Sequence, residues 1–267
     1  MIKIGIIYNS DKEEAIKIYK ELKSYLLSNQ KFEVVETKDF VRAEYIVIIG
    51  GDGTLLRSFK ILKNKKVKVI AINSGTLGYL TEIRKDKYRE IFENILLGKI
   101  SIESRHYFKV KINNSSYSAL NEVLLTRENI KRNIVATEIY VDNKFLGKFK
   151  GDGVIISTPT GSTAYSLSAG GPIITPELKV FLITPIASHN LNTRPIIISG
   201  NLKIVLKLVK PSEMGYLNID GNTHKKIKIE DEIEISYAND TLKLVIPEDR
   251  NYYNVLREKL KWGENLC

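Results

Sequence analysis

The sequence lacks most of the features that would tie the chain to disulfides, a metal cage or a membrane. Its single cysteine, Cys267, rules out an intrachain disulfide and a cysteine metal cluster. The three histidines, His106, His189 and His224, are scattered and do not have the spacing of a zinc site. No apolar run is long enough to span a bilayer, and the first residues show no signal-peptide cleavage site. We therefore expect a soluble, cytoplasmic protein.

Long basic blocks are missing too, although the chain is basic. There are 41 lysines and arginines against 31 aspartates and glutamates, which gives a net charge of +10 at pH 7. Such an excess favours polyanionic partners such as nucleotides or polyphosphate. The sequence has no arginine-rich tail and no interleaving of aromatic and basic residues, so we expect neither a nucleic-acid partner nor a membrane partner.

The first part of the chain has the pattern of an α/β domain. Strand patterns at residues 2–8, 45–49 and 67–72 alternate with helical stripes that include Tyr19, Phe59 and Phe92. This alternation predicts a Rossmann-like parallel sheet with helices on its faces, and we assign it to residues 1–100. Ligands of such sheets bind beyond the carboxyl ends of the strands.

The pattern changes after about residue 100. Short β-rich runs separated by turn residues predict an all-β C-terminal domain over residues 101–247. The runs are 107–112, 123–126, 134–141, 154–157, 180–183, 195–198, 204–209, 227–229, 233–236 and 242–245. Residues 248–267 return to a helical pattern, and we expect this C-terminal helix to pack on the first domain.

Residues 50–54 read Gly-Gly-Asp-Gly-Thr and directly follow the apolar strand pattern at 45–49. Glycines allow the main chain to approach a ligand closely and leave N–H groups for phosphate oxygens. The segment does not continue into a dinucleotide fingerprint, and the chain has no Walker A motif. A lone carboxylate, Asp52, among such amides suggests a group that accepts a proton or positions a nucleophile. The alternative is that Asp52 only caps the following helix.

Two further segments have the composition of a binding surface. Residues 151–172 run from Gly-Asp-Gly through Thr-Pro-Thr-Gly-Ser-Thr-Ala-Tyr, and their hydroxyl groups and Tyr165 could bind the edges and face of a base. The pair Asn121–Glu122 could hold a sugar diol or an adenine edge. The alternatives are a hydroxyl-rich turn with helix caps for the first segment and a surface turn for the second.

These elements occur in one order, together with Asn-Ser-Gly-Thr-Leu-Gly-Tyr-Leu at 73–80. In that order the chain closely resembles the NAD kinases, which phosphorylate the 2′-hydroxyl of the adenosine ribose of NAD to give NADP. The Gly-Gly-Asp-Gly element alone would also suit diacylglycerol and sphingosine kinases. The Asn–Glu pair and the Thr-Pro-Thr-Gly-Ser-Thr-Ala-Tyr segment narrow the resemblance to NAD kinases.

The resemblance implies a role for each matching residue. Asp52 would be the general base, which accepts the proton of the ribose 2′-hydroxyl as it attacks the γ-phosphate of ATP. Gly53 and Arg57 would line the phosphates, and Tyr79 would flank the adenine unless it is a core aromatic. The other binding positions would be Asn121 and Glu122 for the adenosine half of NAD; Thr160, Thr163, Ala164, Tyr165, Ser166, Leu167 and Ser168 for adenine and ribose; Asp152 for the far end of the dinucleotide; Lys150 and Arg132 for positive charge; and Asn222.

The resemblance also implies the partners. NAD is a substrate rather than a cofactor, and the donor is ATP or polyphosphate. Mg²⁺ or another divalent cation accompanies ATP and is held mostly by phosphates and water, so no protein metal site is expected. A homodimer or homotetramer is expected as well. The alternatives are a lipid kinase of the diacylglycerol kinase type and a non-catalytic NADP-binding protein.

Overall fold

A computed structural model describes residues 1–63, 66–127, 134–190 and 192–263. The chain divides into two compact units. The first unit joins Met1–Ser104 to Leu242–Cys267, and the second is Arg105–Thr241. The predicted domain ranges 1–100, 101–247 and 248–267 stay a prediction. No helix in the described ranges is both long and apolar enough to cross a membrane.

The helices and strands follow one another in an α/β and then a β-rich order. From the N-terminus they are β1 (Ile2–Tyr8), α1 (Glu13–Ser28), β2 (Phe32–Val35), β3 (Tyr45–Gly50), α2 (Asp52–Leu62), β4 (Lys68–Asn73), α3 (Tyr88–Leu96), β5 (Ser101–Ile112), β6 (Ser115–Ala119), β7 (Glu122–Thr126), β8 (Val135–Val141) and β9 (Lys144–Gly151). They continue with β10 (Gly153–Ser157), α4 (Tyr165–Ser168), β11 (Val180–Ile186), β12 (Ile196–Ser199), β13 (Ile204–Leu208), β14 (Met214–Ile219), β15 (Thr223–Lys228), β16 (Glu232–Ile246) and α5 (Tyr252–Leu260). Short 3₁₀ turns cover Thr37–Arg42 and Thr160–Thr163.

The first unit is built on a parallel sheet. Its strands lie in the order β2-β1-β3-β4, and the last residues of β16 run parallel to β4. All residues of β3 are buried, as is usual for a strand inside a parallel sheet with both faces covered. In the register of β3 and β4, Gly50 lies beside Asn73. The segments that follow these two strands therefore begin side by side.

Helix α3 buries the stripe that its sequence predicts, whereas the buried stripe of α1 contains Ile18 and leaves Tyr19, which was predicted in it, only half-buried. Helix α1 buries Ile18, Leu22 and Leu26, and these residues share one apolar core with the α3 residues Tyr88 and Phe92. Helix α3 ends at Leu96, and Gly98 follows it with a φ of +70°. The N–H of Gly98 donates to Ile95 O at 3.1 Å, as is typical of a glycine that terminates a helix. The predicted α/β fold class is confirmed.

The second unit is built on two sheets of antiparallel strand pairs. One sheet has the order β12-β11-β10-β7-β14-β15. In the other, β13 pairs with β8 and with the first part of β16, β8 pairs with β9, and β5 pairs with β6. Inward side chains form one core, in which Phe108 and Phe181 stack with ring centroids 4.9 Å apart. The prediction of a β-rich second part is confirmed.

The structure differs from the predicted elements in places where the pattern is short or polar. Strands β2, β6, β9 and β14 were not predicted, because β2 has four residues and the others carry many polar or glycine residues. The hydroxyl-rich segment holds a 3₁₀ turn and the short helix α4, elements that were not among those predicted. The terminal helix α5 begins at Tyr252 rather than at 248.

Candidate active site

The Gly-Gly-Asp-Gly-Thr segment forms the turn from β3 into α2. Helix α2 begins at Asp52, and Gly51 precedes it as the N-cap residue. The N–H of Thr54 donates to Gly51 O at 2.8 Å and closes the turn. A β-carbon on Gly50 would lie 2.4 Å from Thr54 Oγ1, which is too close for any other residue type. Close packing of this kind explains why glycine stands at the end of β3.

The Asp52 carboxylate binds the segment that follows β4. Its Oδ2 accepts a hydrogen bond from the N–H of Tyr79 at 2.8 Å. Its Oδ1 accepts from the N–H groups of Leu80 at 3.1 Å and Thr81 at 3.0 Å, and from Thr81 Oγ1 at 3.0 Å. The alternative in which Asp52 only caps α2 is therefore wrong, since its carboxylate is bound to another loop.

These contacts leave acceptor capacity on one oxygen of Asp52. A carboxylate has about four lone-pair sites in total. Three donors crowd Oδ1, whereas only the Tyr79 N–H reaches Oδ2 among the bonds of the described chain. The carboxylate is thus held in one orientation, and Oδ2 can still accept a hydroxyl hydrogen from a ligand.

Asn73, the last residue of β4, shapes the loop that holds Asp52. Its Nδ2 donates to Thr76 O at 2.6 Å and to Thr81 Oγ1 at 3.0 Å. Its Oδ1 accepts from the N–H of Gly75 at 2.6 Å. The side chain of Thr81 therefore links Asn73 to Asp52.

The other predicted residues of the first unit lie around the same turn. Gly53 is exposed, and a β-carbon there would be 3.5 Å from Arg57 Nη1, so the guanidinium lies next to this glycine. Arg57 Nη2 donates to Thr54 Oγ1 at 3.4 Å. Tyr79 is half-buried and its Oη is buried without a hydrogen-bond partner in the described ranges. Burial and, to a smaller extent, the charge of Asp52 raise the pKa of the Tyr79 phenol.

In the second unit, Glu122 is the first residue of β7, an inner strand of its sheet, and Asn121 directly precedes it. Asn121 Oδ1 and Glu122 Oε2 are buried and have no hydrogen-bond partner among the described residues. Burial, and after it the charge of Asp220, raises the pKa of Glu122 to about 8. The surface-turn alternative for this pair is therefore wrong, and two buried acceptors are left for a ligand.

Some hydroxyl groups of the segment 151–172 form hydrogen bonds within the protein. Ser162 Oγ donates to Pro159 O at 2.6 Å, and Ser166 Oγ lies 2.8 Å from Thr184 Oγ1. Ser166 and Thr160 are buried, whereas Ser168 and Tyr165 are exposed, Tyr165 by 46%. Thr163, Ala164 and Leu167 are half-buried. Tyr165 thus presents an open ring, while the Ser166 hydroxyl is already bonded within the protein.

The remaining predicted residues of the second unit lie outside this segment of the sequence. Asp152 Oδ2 pairs with Arg127 Nη2 at 3.3 Å, and Lys150, two residues earlier in the chain, is exposed. Asn222 Nδ2 donates to Asp220 O at 2.8 Å. Arg132 lies outside the described residues, so its predicted role stays a prediction.

Comparison with known proteins decides the family. A family model of the ATP-NAD kinase N-terminal domain matches residues 29–100, and a model of the ATP-NAD kinase C-terminal domain matches residues 120–246. A curated NAD kinase from Fusobacterium nucleatum subsp. nucleatum is 74% identical over 267 residues, which is 100% of both chains. The chain belongs to the NAD kinase family. The predicted family is therefore confirmed.

Further NAD kinases agree with this assignment. A curated NAD kinase from Clostridium botulinum strain Kyoto is 36% identical over 280 residues, covering 100% of this chain and 99% of the relative. Two crystal structures share the fold. Yeast NADH kinase complexed with NADH matches with a TM-score of 0.91, 23% identity and coverage of 100% of this chain and 89% of that one. An NAD kinase from Archaeoglobus fulgidus in complex with ATP has a TM-score of 0.80, 24% identity and coverage of 97% and 99%.

The NAD kinase assignment leaves the lipid-kinase and non-catalytic alternatives without support from these comparisons. The hydrogen bonds of the structure add one residue to the site, Asp220, to which the sequence analysis gave no role. The Asp-Gly pair at 220–221 is typical of a turn. No local pattern indicates that the Asp220 carboxylate turns toward residues 120–122, where it accepts three N–H bonds.

Proposed function

We propose that this protein transfers the γ-phosphate of ATP to the 2′-hydroxyl of the adenosine ribose of NAD and so produces NADP. The single observation that carries the proposal is the Asp52 carboxylate. It is held by four hydrogen bonds from residues 79–81, with acceptor capacity left on Oδ2. Pure binding of NADP would not require a fixed carboxylate in this position. Membership of the NAD kinase family supports the choice of substrate.

The proposed chemistry assigns the proton to Asp52. Oδ2 accepts the hydrogen of the 2′-hydroxyl while the hydroxyl oxygen forms a bond to the γ-phosphorus. The bond between that phosphorus and the bridging oxygen breaks, and ADP leaves. Phosphoryl transfer depends mainly on positioning and on stabilisation of charge. The hydrogen bonds to Asp52 supply positioning, because they prevent the carboxylate from rotating away from the hydroxyl.

We assign the donor phosphates to Gly53 and Arg57. The guanidinium of Arg57 lies beside exposed Gly53 at the start of α2, where free N–H groups and the helix dipole favour an anion. Mg²⁺ would arrive with ATP, bound mostly by phosphate oxygens and water. In the described part of the chain, no three His, Cys, Asp or Glu side chains are grouped to hold a metal on their own.

We assign the adenosine half of NAD to Asn121, Glu122 and the segment around Tyr165. The buried acceptors Asn121 Oδ1 and Glu122 Oε2 suit a ligand that brings hydroxyl or amino hydrogens. The exposed ring of Tyr165 suits a flat base. Thr160, Thr163, Ala164, Ser166, Leu167 and Ser168 complete the proposed surface, and Tyr79 is proposed to lie beside the adenine.

The finer parts of the proposal rest on the family resemblance. We propose that Asp152, with Lys150 and Arg132, binds the far end of the dinucleotide, and that Asn222 adds a contact. A homodimer or homotetramer is proposed on the same ground, and a cytoplasmic location is proposed from the composition of the sequence. Polyphosphate is retained as a possible second donor.

The decisive test is NADP formation by purified protein from NAD, ATP and Mg²⁺, followed with an NADP-specific dehydrogenase. The wild type should turn over, and Asp52→Asn should lose activity by about 10²–10⁴-fold, the usual contribution of a general base. The matched control is Asp240→Asn, which changes an exposed aspartate of β16 and should keep full activity. Replacing ATP by polyphosphate in the same assay decides the donor.

Three outcomes are informative. Turnover lost only in Asp52→Asn, with NAD binding by calorimetry retained, supports the proposed base. Loss of NAD binding in Asp52→Asn would move Asp52 from catalysis to structure. Absence of NADP formation by the wild type, together with ATP consumption on a lipid diol, would overturn the substrate.

A further inference from the structure

We propose that Asp220 is a positioning residue for the acceptor substrate: its carboxylate fixes the main chain of residues 120–122, so that the Asn121 and Glu122 side chains are presented to NAD. This inference rests on the proposed function, because it takes NAD as the ligand of that pair. Asp220 itself makes no contact with substrate in this proposal and acts through its two neighbours.

Three consecutive N–H groups converge on the Asp220 carboxylate. Oδ2 accepts from Leu120 N at 2.7 Å, and Oδ1 accepts from Asn121 N at 2.8 Å and Glu122 N at 3.0 Å. The N–H of Asp220 in turn donates to Glu122 O at 3.1 Å. Such charge-assisted bonds are about twice as strong as neutral ones. The carboxylate therefore holds this segment as a rigid unit at the entry to β7.

The carbonyl side of the same segment is held by Thr158. Thr158 Oγ1 donates to Leu120 O at 2.6 Å, and the N–H of Thr158 donates to Asn121 O at 2.9 Å. A β-carbon on Gly161 would lie 2.2 Å from Asn121 O, which shows how closely the main chains pack. Residues 120–122 are thus bonded through both their N–H and C=O groups.

The main chain of Asn121 and Glu122 is fully hydrogen-bonded, but one side-chain oxygen of each residue is not. Asn121 Oδ1 and Glu122 Oε2 are buried, yet neither has a hydrogen-bond partner within the described ranges. An unpaired buried acceptor is costly, and it is retained in native proteins for a reason such as ligand binding. The hydrogen bonds of Asp220 and Thr158 therefore fix the main chain of this segment, whereas Asn121 Oδ1 and Glu122 Oε2 are left for a ligand.

Asp220 occupies a position that is itself unfavourable. It is 9% exposed and has a φ of +51°, in the left-handed region that Asp tolerates better than most residues. The positive φ belongs to the Asp-Gly turn that joins β14 to β15, and Asp is one of the residues that tolerate it there. The carboxylate is the group that three converging N–H donors require, since an amide would turn one NH₂ group toward a donor.

The charge of Asp220 also reaches Glu122. After burial, it is the second cause that raises the pKa of Glu122 to about 8. Across the sheet the β10 residue opposite Glu122 is Ser157, which carries no charge, and on the β14 side the facing charged group is Asp220. Removing the charge of Asp220 should therefore lower the pKa of Glu122.

The test is Asp220→Asn in steady-state assays of NADP formation. Leaving a buried N–H unpaired should raise KM for NAD about tenfold or more, while kcat and KM for ATP change much less. The matched control is Asp142→Asn. Asp142 also has a positive φ, of 45°, and also accepts a main-chain N–H, from Lys203 at 2.7 Å, but in another turn. The control should keep the wild-type KM for NAD.

A double-mutant cycle separates positioning from general destabilisation. If Asp220 acts through the pair, Asp220→Asn should add little to the loss already caused when both side chains of the pair are removed, in Asn121→Ala combined with Glu122→Ala. Full additivity of the two losses would overturn the inference. Hydrogen exchange should become faster at the N–H groups of residues 120–122 and stay unchanged in the β3–α2 turn, and unchanged exchange at 120–122 would also overturn it.

The outcome is separable from that of the proposed function. A wild type that makes no NADP fails the proposed function whatever Asp220 does. A wild type that makes NADP, with an Asp220→Asn variant of unchanged KM for NAD, keeps the function and refutes the role of Asp220. A folded Asp220→Asn variant in which the pH midpoint of the NAD KM moves to lower pH supports both.

Discussion

Gly78 lies so close to Asp52 that a β-carbon built on the glycine would stand 2.1 Å from the Oδ1 atom of the carboxylate. The same β-carbon would be 2.5 Å from Thr81 Oγ1. Neither neighbour can move easily, because the Asp52 carboxylate and the Thr81 hydroxyl are bonded to each other at 3.0 Å. The loop after β4 and the aspartate of the glycine-rich turn are therefore fitted to one another.

Gly78→Ala should reduce turnover by about 10²-fold or more, toward the loss expected for Asp52→Asn. The added methyl group must push the carboxylate out of its hydrogen bonds and so misplace Oδ2. The measurement is kcat for NADP formation, with Tm as a check of folding. Gly75→Ala is the control in the same loop, since its nearest neighbour, Asn73 Oδ1, would be 3.9 Å away. Equal activity of the two variants would contradict the role of this contact.

Thr81→Val should lower kcat by about tenfold and leave KM for NAD close to the wild-type value, since the hydroxyl acts on the base and not on the ligand. Thr81 Oγ1 donates to Asp52 Oδ1 at 3.0 Å and accepts from Asn73 Nδ2 at 3.0 Å. Valine keeps the shape but removes both bonds. Thr76→Val changes an exposed hydroxyl of the same loop and serves as the control. A rise in KM for NAD without a fall in kcat would argue against this assignment.

Glu122 should make the protein less stable as the pH rises. The pKa of Glu122 is raised from 4.5 to about 8, first by burial and then by Asp220. Between these two values the folded state retains a proton that the unfolded chain releases, so the free energy of unfolding falls as the pH increases. Glu122→Gln cannot release a proton, and its stability relative to the wild type should grow from about pH 5 to about pH 8.

Urea unfolding of both proteins across this range checks the Glu122 prediction. Glu230→Gln, which changes an exposed glutamate, should follow the wild-type curve. A constant difference between Glu122→Gln and the wild type over the whole range would show that Glu122 is ionised in the folded state.

Arg250→Met should lower the free energy of unfolding by about 3–5 kcal/mol, the usual cost of breaking a buried ion pair. Arg250 pairs with Glu82 and with Glu103, and the three side chains are 7–10% exposed. Without the guanidinium, two carboxylates stay buried beside an apolar side chain. Arg257→Met, on exposed Arg257 of α5, should change stability little. A small effect of Arg250→Met in urea titration would mean that water or other groups replace the cation.

Sequence reasoning identified the strongest local signals of this fold. The apolar run at 45–49 predicted strand β3, and the apolar stripe that includes Phe92 predicted helix α3. Both predictions succeed because burial in a sheet or on one helix face requires a characteristic pattern of apolar residues. The polar edge strands β6 and β9 were not predicted from the sequence. Each forms because it pairs with a neighbouring strand, β5 or β8, and its own composition does not indicate a strand. The family could be read from ordered motifs, and the family models agree.

The sequence by itself determined which residues could do chemistry. It placed glycines around Asp52 at the end of a buried strand, and this follows from local conformational preference. Only the tertiary structure decided what those residues touch. The donors to Asp52 lie 27–29 residues further along the chain, and those to Asp220 lie 98–100 residues before it. Such bonds exist because strand register brings Gly50 beside Asn73 and Val123 beside Ile219, and register is set by the packing of whole sheets.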